Sequence, residues 1–265
     1  MAVRRESLDG SLMAAVEFRQ VAYRVDGHLI LDHLSFSVAA GETLVLLGLS
    51  GSGKTTALKM VNGLLLPSAG EVLVDGRPTT AWDLIQLRRG IGYVIQEVGL
   101  FPHFTIAENV GLVPRLEGWP PERIGARVRE LLDQTGLAPD QFLQRYPRQL
   151  SGGQRQRVGV ARALAADPRL LLFDEPFGAL DPVTRLELQE QFLKLRDQLR
   201  KTSLFVTHDV REALRLGTRI ALLDRGRLET LATPREFLQS RGPQTRAFLA
   251  VLEMGHVGTA ANLDE

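Results

Sequence analysis

The chain has 265 residues, 44% of them hydrophobic, which suits one large α/β domain or a domain with a subdomain. A net charge of +1 gives no electrostatic reason to expect nucleic acid or an anionic membrane surface as a partner. The sequence contains no cysteine, which excludes disulfides and thiolate metal sites and fits a reducing compartment. No apolar run approaches the ~20 residues of a membrane helix. Residues 1–13 lack the apolar core of a signal peptide and are predicted to form a loose tail.

The first part of the chain is predicted to be mainly strands separated by turn residues. Alternating apolar residues before and after Asp26-Gly27 indicate a β-hairpin. The apolar run at 43–47 predicts a buried strand, and the residues after the next glycines predict a helix that ends near Asn62-Gly63. Another strand is predicted at 71–74.

The middle of the chain changes to a helical pattern. From about 98 to 166 no buried strand is predicted, and a helix is expected to begin at Pro120-Pro121 and to close at Gly136. Strands are predicted again at 169–173, at 203–207 and in a hairpin over 220–231. A helix that begins at Asp181-Pro182 is predicted between the first two of these strands. The sequence therefore predicts an α/β core interrupted by a helical insertion.

The segment 48–56 fits the pattern G-x-x-x-x-G-K-[ST] between a strand and a helix, which predicts a phosphate-binding loop. Glycines allow backbone N–H groups to surround a phosphate, Lys54 supplies a positive charge, and the Thr55 hydroxyl can bind Mg²⁺. The alternative is a glycine-rich turn with a solvated lysine. The predicted nucleotide contacts here are Gly48, Ser50, Gly51, Ser52, Gly53, Lys54, Thr55 and Thr56.

A second predicted site lies at the end of the strand 170–173, where Asp174 and Glu175 follow four apolar residues. Ligands of open parallel sheets bind at the carboxyl ends of the strands. In a phosphate-loop protein the first acid, Asp174, is expected to hold Mg²⁺, and Glu175 to polarise the attacking water. The alternative is a solvated acidic pair at a strand end.

The third motif is Ser151-Gly152-Gly153-Gln154, in which serine and glutamine fit a capping box at a helix start. A glycine-rich helix start is also an anion site. One phosphate group does not easily need two such cradles from one subunit, so the motif suggests two subunits that face each other. The alternative is simply a well-capped helix.

Taken together, the chain resembles an ATPase of the ATP-binding cassette (ABC) transporter family. The resemblance covers about residues 15 to 240, and the motifs stand in the family's order: the phosphate loop, Gln96 in Y-V-I-Q-E, L-S-G-G-Q-R-Q-R-V at 150–158, L-L-L-F-D-E-P at 170–176, G-A-L-D at 178–181, and His208 in V-T-H-D.

This resemblance implies a P-loop NTPase (RecA-like) core with an antiparallel β subdomain and an inserted α-helical subdomain. The ABC ATPase domain is expected at 14–240. Its core is expected at about 14–96 and 167–240, its helical subdomain at about 97–166, and a C-terminal extension at 241–265.

The resemblance also implies roles for further residues, with ATP and Mg²⁺ as the ligands. Tyr23 would stack on adenine, or else be a strand aromatic on the core face. Gln96 would reach Mg²⁺ and the attacking water, joining Thr55 and Asp174 at the metal. His208 would bond the γ-phosphate and help to orient Glu175, the alternative being a core histidine.

Contacts to a second copy are implied as well. Ser151, Gly152, Gly153 and Gln154 would contact the nucleotide bound by the opposite subunit, and Asp181 would lie at the dimer contact, giving a head-to-tail dimer with two ATP molecules between the subunits. Phe101 and Phe104 lie on a predicted loop. These two phenylalanines are expected to contact a membrane partner, which is a different protein from the second copy. The alternative is that they fill the core of the helical subdomain.

Within the family, the segments 92–110, 157–168 and 174–182 resemble the osmoprotectant (glycine betaine, choline, carnitine) importers. That branch implies an ATPase that powers solute import through a permease, with an extracytoplasmic solute-binding protein in the system. The subunit would be peripheral, at the cytoplasmic face of the inner (plasma) membrane. The extension 241–265 is too short for the paired CBS domains that several members carry.

Other functions stay open at this point. The ATPase could serve another importer, for example of amino acids, or an exporter or lipid transporter. A non-transport ABC ATPase, with a coiled-coil insertion, two cassettes or a basic face, fits the sequence less well.

Overall fold

The computed structural model describes residues 14–96 and 98–260, and the side chains as far as residue 252. The predicted tail 1–13 and the last five residues of the predicted extension lie outside this part of the chain. The contacts divide the chain into two compact units: unit 1 is formed from residues up to 80 and from 204 onward, and unit 2 from residues 81–203. None of the helices in the described residues has the length and apolar character needed to cross a bilayer.

The order of elements follows the predicted alternation of strands and helices. The strands are β1 (Ala14–Val25), β2 (His28–Ala39), β3 (Thr43–Leu47), β4 (Ala69–Val74), β5 (Arg77–Pro78), β6 (Ile91–Val94), β7 (Leu170–Asp174), β8 (Thr202–Thr207), β9 (Arg219–Asp224) and β10 (Arg227–Ala232). The helices are α1 (Lys54–Val61), α2 (Leu84–Arg89), α3 (Ile106–Leu116), α4 (Pro121–Gln134), α5 (Pro139–Phe142), α6 (Gly152–Leu164), α7 (Pro182–Leu199), α8 (Val210–Leu216), α9 (Pro234–Gln239) and α10 (Pro243–Ala260).

Unit 1 contains an antiparallel sheet of four strands in the order β2-β1-β4-β5. Its first two strands form the predicted hairpin, with Asp26 and Gly27 at φ values of 49° and 80°. Two successive positive φ values fit the turn that matches the twist of the flanking strands. The stacked rings of Phe18 and Phe36, with centroids 4.4 Å apart, mark the buried face of the hairpin.

Unit 1 also contains strands in the order β10-β9-β3-β8, with β3 parallel to β9. All five residues of β3 are buried. Such continuous apolar runs are typical of parallel strands that are covered on both faces. The buried strand, the helix α1 after it and the hairpin of β9 and β10 are therefore confirmed.

In unit 2, β6 and β7 pair in parallel, with Ile91 opposite Leu170 and Val94 opposite Phe173. The helices α3, α4, α5 and α6 lie between these two strands in the chain, and the described residues from 98 to 166 contain no strand. The expected combination of α/β core, antiparallel β subdomain and helical insertion is confirmed. The exact domain limits stay a prediction.

The strand β6 packs very closely on α6. A Cβ atom added at Gly92 would lie 2.4 Å from the carbonyl oxygen of Ala163 and 2.6 Å from Cδ2 of Leu171. Since a backbone carbonyl cannot move aside as a flexible side chain can, this position requires glycine. In contrast, a Cβ at the exposed Gly125 in α4 would meet nothing within 4 Å.

Because the two positions differ in this way, replacement of glycine by alanine should have opposite effects on the stability of the protein. Gly92→Ala should destabilise the protein by about 1–3 kcal/mol because the added methyl group overpacks the contact. Gly125→Ala should stabilise it by up to about 1 kcal/mol because alanine is the better helix former. Denaturant unfolding of both variants and the wild type measures the two changes. Equal midpoints for Gly92→Ala and the wild type would contradict the close approach of β6 and α6.

Candidate functional site

The predicted phosphate loop lies in unit 1 between β3 and α1. Gly51 and Gly53 have φ values of 79° and 97°, in the left-handed region that favours glycine. Gly53 is the N-cap residue of α1, so the helix begins at Lys54 and its first N–H groups face the loop. The fold thus places a helix N-terminus at the end of a glycine-rich loop, an arrangement suited to an anion.

Lys54 is buried, with 4% of its surface exposed, and its Nζ donates to the carbonyl oxygens of Gly48 and Leu49, both at 2.8 Å. A buried ammonium group needs such partners. The alternative of a solvated lysine is therefore wrong. The charge is held against the loop that is expected to receive a phosphate.

The loop has one further polar group available. Ser52 is 5% exposed, and among the described residues no hydrogen-bond partner is found for its buried Oγ. Since buried polar atoms are normally hydrogen-bonded, an unused hydroxyl in a glycine-rich loop fits a bound anion. Thr55 and Thr56 are half-buried in the first turn of α1.

Tyr23 and His208 also lie in unit 1. Tyr23 is a half-buried residue of β1, opposite Leu31, where the register of the hairpin is irregular. Its ring is not part of the fully buried core, which leaves the stacking role open. His208 is exposed and follows β8 directly, so the alternative of a core histidine is wrong.

Three hydrogen bonds, one of them buried, fix the turn that carries His208. Thr207 Oγ1 donates to Glu212 Oε2 at 2.6 Å and accepts from the backbone N–H of Asp209 at 3.0 Å. The Asp209 side chain in turn caps α8 by accepting from the N–H of Arg211 at 2.8 Å. Glu212 could not be identified from the sequence, because a glutamate in the first turn of a helix gives no signal of this role.

Unit 2 holds the predicted acidic pair. Asp174 is the last residue of β7, and both Asp174 and Glu175 are half-buried, so the pair is not fully solvated. The Tyr93 hydroxyl on β6 donates to Asp174 Oδ2 at 3.3 Å. Burial and the negative charge of Asp174 raise the pKa of Tyr93, which keeps its proton on the donor. Tyr93 could not be identified from the sequence because its partner is 81 residues away.

Glu175 has a φ of 47° and is one of eight non-glycine residues with a positive φ in the described part of the chain. Non-glycine residues in the left-handed region are uncommon and cluster at functional sites. The carbonyl of Glu175 accepts from the N–H of Gly178 at 3.2 Å, which closes the turn after β7.

Gln96 lies close to the same turn. A Cβ added at Gly178 would be 3.4 Å from Gln96 Nε2 and 3.8 Å from Glu175 Oε2. The side chains of Gln96 and Glu175 thus approach the same glycine, while Asp174 directly precedes Glu175. Unit 2 brings these three predicted site residues together.

The capping box at α6 is confirmed. The Ser151 hydroxyl accepts from the N–H of Gln154 at 3.2 Å, and the Gln154 side chain accepts from the N–H of Ser151 at 3.0 Å. Gly153 has a packing role that the sequence did not reveal, since a Cβ there would lie 2.4 Å from Cγ2 of Thr184. Gly152 is exposed, and the nearest atom to a Cβ at this position would be Cδ2 of Leu180 at 3.8 Å. An alanine at position 152 would therefore meet no steric clash within the chain.

Asp181 is the exposed N-cap residue of α7, and its side chain accepts from the N–H of Thr184 at 3.0 Å. Hydrogen bonds from Thr184 hold the pKa of Asp181 below its usual range. Asp181 and Ser151 therefore both combine a capping role with exposure to solvent, as is required of residues that contact a second molecule.

Comparison with known proteins gives a family match. The model for "ABC transporter" matches residues 31–178. The osmoprotectant import ATP-binding protein OsmV of Salmonella typhimurium is 52% identical over 208 residues, which are 78% of this chain and 54% of that protein. The chain thus spans about half the length of this relative. YehX of Escherichia coli, a glycine betaine uptake system ATP-binding protein, is 44% identical over 91% of this chain and 78% of its own length.

A solved structure agrees with the fold. The dimeric, post-hydrolysis structure of the ATP-binding cassette MJ0796 bound to ADP and Pi has a TM-score of 0.74 and 35% identity. The match covers 83% of this chain and 99% of that one. Because the family model spans more than half of the residues, including the phosphate loop and the turn after β7, the chain belongs to the ABC transporter family and contains its ATP-binding cassette.

Proposed function

We propose that the protein is the ATP-hydrolysing subunit of an importer for osmoprotectants, most specifically quaternary amines. The observation that carries the ATPase part is the phosphate loop, in which Lys54 is buried against loop carbonyls and the Ser52 hydroxyl is left for an anion. The relatives OsmV and YehX, which are named for osmoprotectant import and glycine betaine uptake, support the proposed class of solute.

In this proposal the loop 48–56 and Lys54 bind the β- and γ-phosphates of ATP. Thr55, Gln96 and Asp174 would hold Mg²⁺, which would neutralise charge on the phosphates. The described residues contain no group of three or more His, Asp or Glu side chains that could hold a metal alone. A site with a single carboxylate fits Mg²⁺, which is commonly bound through one or two carboxylates and the substrate phosphates.

Glu175 acts as the general base on the attacking water, and Gln96 orients that water. The closeness of both side chains to Gly178 supports this pairing. His208 contacts the γ-phosphate, and the Thr207–Glu212 hydrogen bond supports this role because it fixes the turn. The Tyr93 hydroxyl orients Asp174.

The nucleotide also contacts residues outside the phosphate loop. Tyr23 stacks on adenine, an interaction that adds affinity with little base selectivity. A second copy of the chain supplies Ser151, Gly152, Gly153 and Gln154 to the facing nucleotide, with Asp181 at the contact between the copies. The exposed cap residue Ser151 and the exposed Gly152 support this arrangement, because a helix start with glycine at its first position leaves room for an anion from outside.

The permease is proposed to dock in unit 2. A cavity of about 210 Å³ is lined by residues that include Arg89, Phe101, Val113 and Arg162. The Phe101 side chain is 41% exposed, while Phe104 is half-buried with its ring centroid 5.2 Å from that of Phe101. Exposed aromatic groups beside a cavity are typical of partner sites. This docking would place the subunit at the cytoplasmic face of the inner membrane, with a solute-binding protein on the other side.

The catalytic assignment predicts different losses for two variants. Glu175→Gln should bind ATP normally but hydrolyse it about 10²–10⁴-fold more slowly, as expected for the loss of a general base. Lys54→Ala should weaken ATP binding by at least ~10-fold, because a charged hydrogen-bond donor to the phosphates is lost. Equilibrium binding and steady-state hydrolysis measure the two effects separately. Wild-type turnover by Glu175→Gln would remove this residue from the proposed role.

The dimer proposal predicts that Ser151→Arg blocks assembly. Each monomer should still bind ATP at its own phosphate loop, but the arginine should obstruct the facing nucleotide. Sedimentation with ATP should show a dimer for Glu175→Gln and monomers for the double variant Glu175→Gln, Ser151→Arg. A dimer that persists in the double variant would contradict the proposed contact through Ser151.

The transport proposal predicts that deletion of the gene abolishes uptake of labelled glycine betaine or choline at high osmolarity. The wild-type gene should restore uptake. Phe101→Asp should not, although the purified variant should keep its basal ATP hydrolysis, because a charge at the cavity rim disfavours docking of an apolar partner surface.

Labelled proline, other amino acids and lipid probes serve as the comparison solutes. Unchanged uptake of quaternary amines with a clear change for another solute would overturn the osmoprotectant assignment and leave the ATPase proposal intact. Full transport with Phe101→Asp would contradict docking at this cavity.

A further inference from the structure

One face of α6 is directed at the segment that follows Gln96. Gln156, Gly159 and Arg162 are spaced three residues apart, which places them on one side of the helix. A Cβ at Gly159 would lie 2.4 Å from Cγ1 of Val98, so the helix backbone approaches this segment as closely as glycine allows. Gln156 is 2% exposed and lines a cavity with Val98 and Gly99.

Arg162 makes the most specific contact of this face. Its Nη1 donates to the carbonyl oxygen of Gly99 at 2.8 Å, and its Nη2 donates to that of Val98 at 2.6 Å. The guanidinium group therefore spans two successive peptide carbonyls, and its planar donors fix the orientation of both. Burial lowers the pKa of Arg162, yet an arginine keeps its charge, so the group requires these acceptors.

We propose that Arg162 is a positioning residue, which holds the backbone at 98–99 and thereby sets the position of Gln96, two residues before Val98. The inference rests on the proposed function, because it assumes that Gln96 acts at the nucleotide. Arg162 contacts no reacting atom and works only through the backbone that it holds.

The same helix begins at the cap residue Ser151, which is proposed to contact the nucleotide of the second copy. Arg162 lies eleven residues further on, about 16 Å along the helix axis. Arg162 also lines the cavity beside Phe101. The helix α6 therefore has a predicted nucleotide contact at one end and, near the other end, the arginine that holds the backbone at 98–99.

The test compares Arg162→Gln with Arg162→Lys and with the control Arg127→Gln. Arg127 is an arginine of α4 that donates to the carbonyl of Leu164, at the end of α6, at 3.1 Å and pairs with Glu130 at 2.8 Å. The control thus removes a similar contact to α6 that does not involve 98–99. Hydrogen–deuterium exchange of the peptide covering 98–100 is measured in the full chain, together with kcat, the KM for ATP and the Mg²⁺ dependence of hydrolysis.

Arg162→Gln should speed exchange at 98–100 and lower kcat by roughly 10-fold or more, with little change in the KM for ATP. The lysine variant should keep part of the activity, since one ammonium group cannot reproduce the planar pair of donors. Arg127→Gln should leave the exchange at 98–100 unchanged.

A double-mutant cycle separates positioning from general stability. Arg162→Gln added to Gln96→Ala should change kcat and the Mg²⁺ dependence by less than about two-fold, because both variants remove the same contribution. Unchanged exchange at 98–100, or multiplicative losses in the double variant, would overturn the inference. Glu175→Gln in the same assay tests the proposed ATPase function separately. If this variant kept wild-type activity, the proposed function would be contradicted, whatever the result for Arg162.

Discussion

The candidate site depends on one constraint, the burial of a positive charge inside a loop made largely of backbone. Lys54 can be buried because the carbonyl groups of Gly48 and Leu49 accept from it, and these carbonyls are available because the glycines turn the loop. The buried strand β3 and the helix α1 then fix the two ends of the loop. The surrounding layers of unit 1 serve to hold this short segment in a conformation that most sequences could not adopt.

Helix capping has a comparable role in unit 2. Ser151 and Asp181 each satisfy backbone N–H groups at the start of a helix and remain exposed. In the proposed dimer, local stability and recognition of the second copy would therefore use the same side chains. For this reason a substitution at either residue needs a folding control before any effect on assembly is interpreted.

Much of the architecture could be predicted from sequence because its signals are local. The hairpin at Asp26-Gly27, the buried strand β3 and the start of α6 each follow from turn residues, apolar runs or a capping pattern. The short elements α2 and β6 were not predicted individually, since six and four residues carry too little periodicity.

The contacts that position the site residues were harder to predict because they join distant parts of the chain. The hydrogen bond from Tyr93 to Asp174 spans 81 residues, and the bond from Arg162 to Val98 spans 64. The fit of Gly153 against Thr184 depends on how two helices pack. Residue types at such positions look ordinary in the sequence, and only the folded chain shows what they hold.

The backbone at Glu175 has a consequence for how this protein can evolve. A glutamate with a φ of 47° occupies a conformation that glycine adopts more readily, so the folded state is strained at the residue that is proposed to act as the general base. Selection for stability alone would favour glycine there, and selection for turnover would favour the carboxylate. With Glu175 as the proposed general base, the position therefore represents a trade-off between folding stability and turnover.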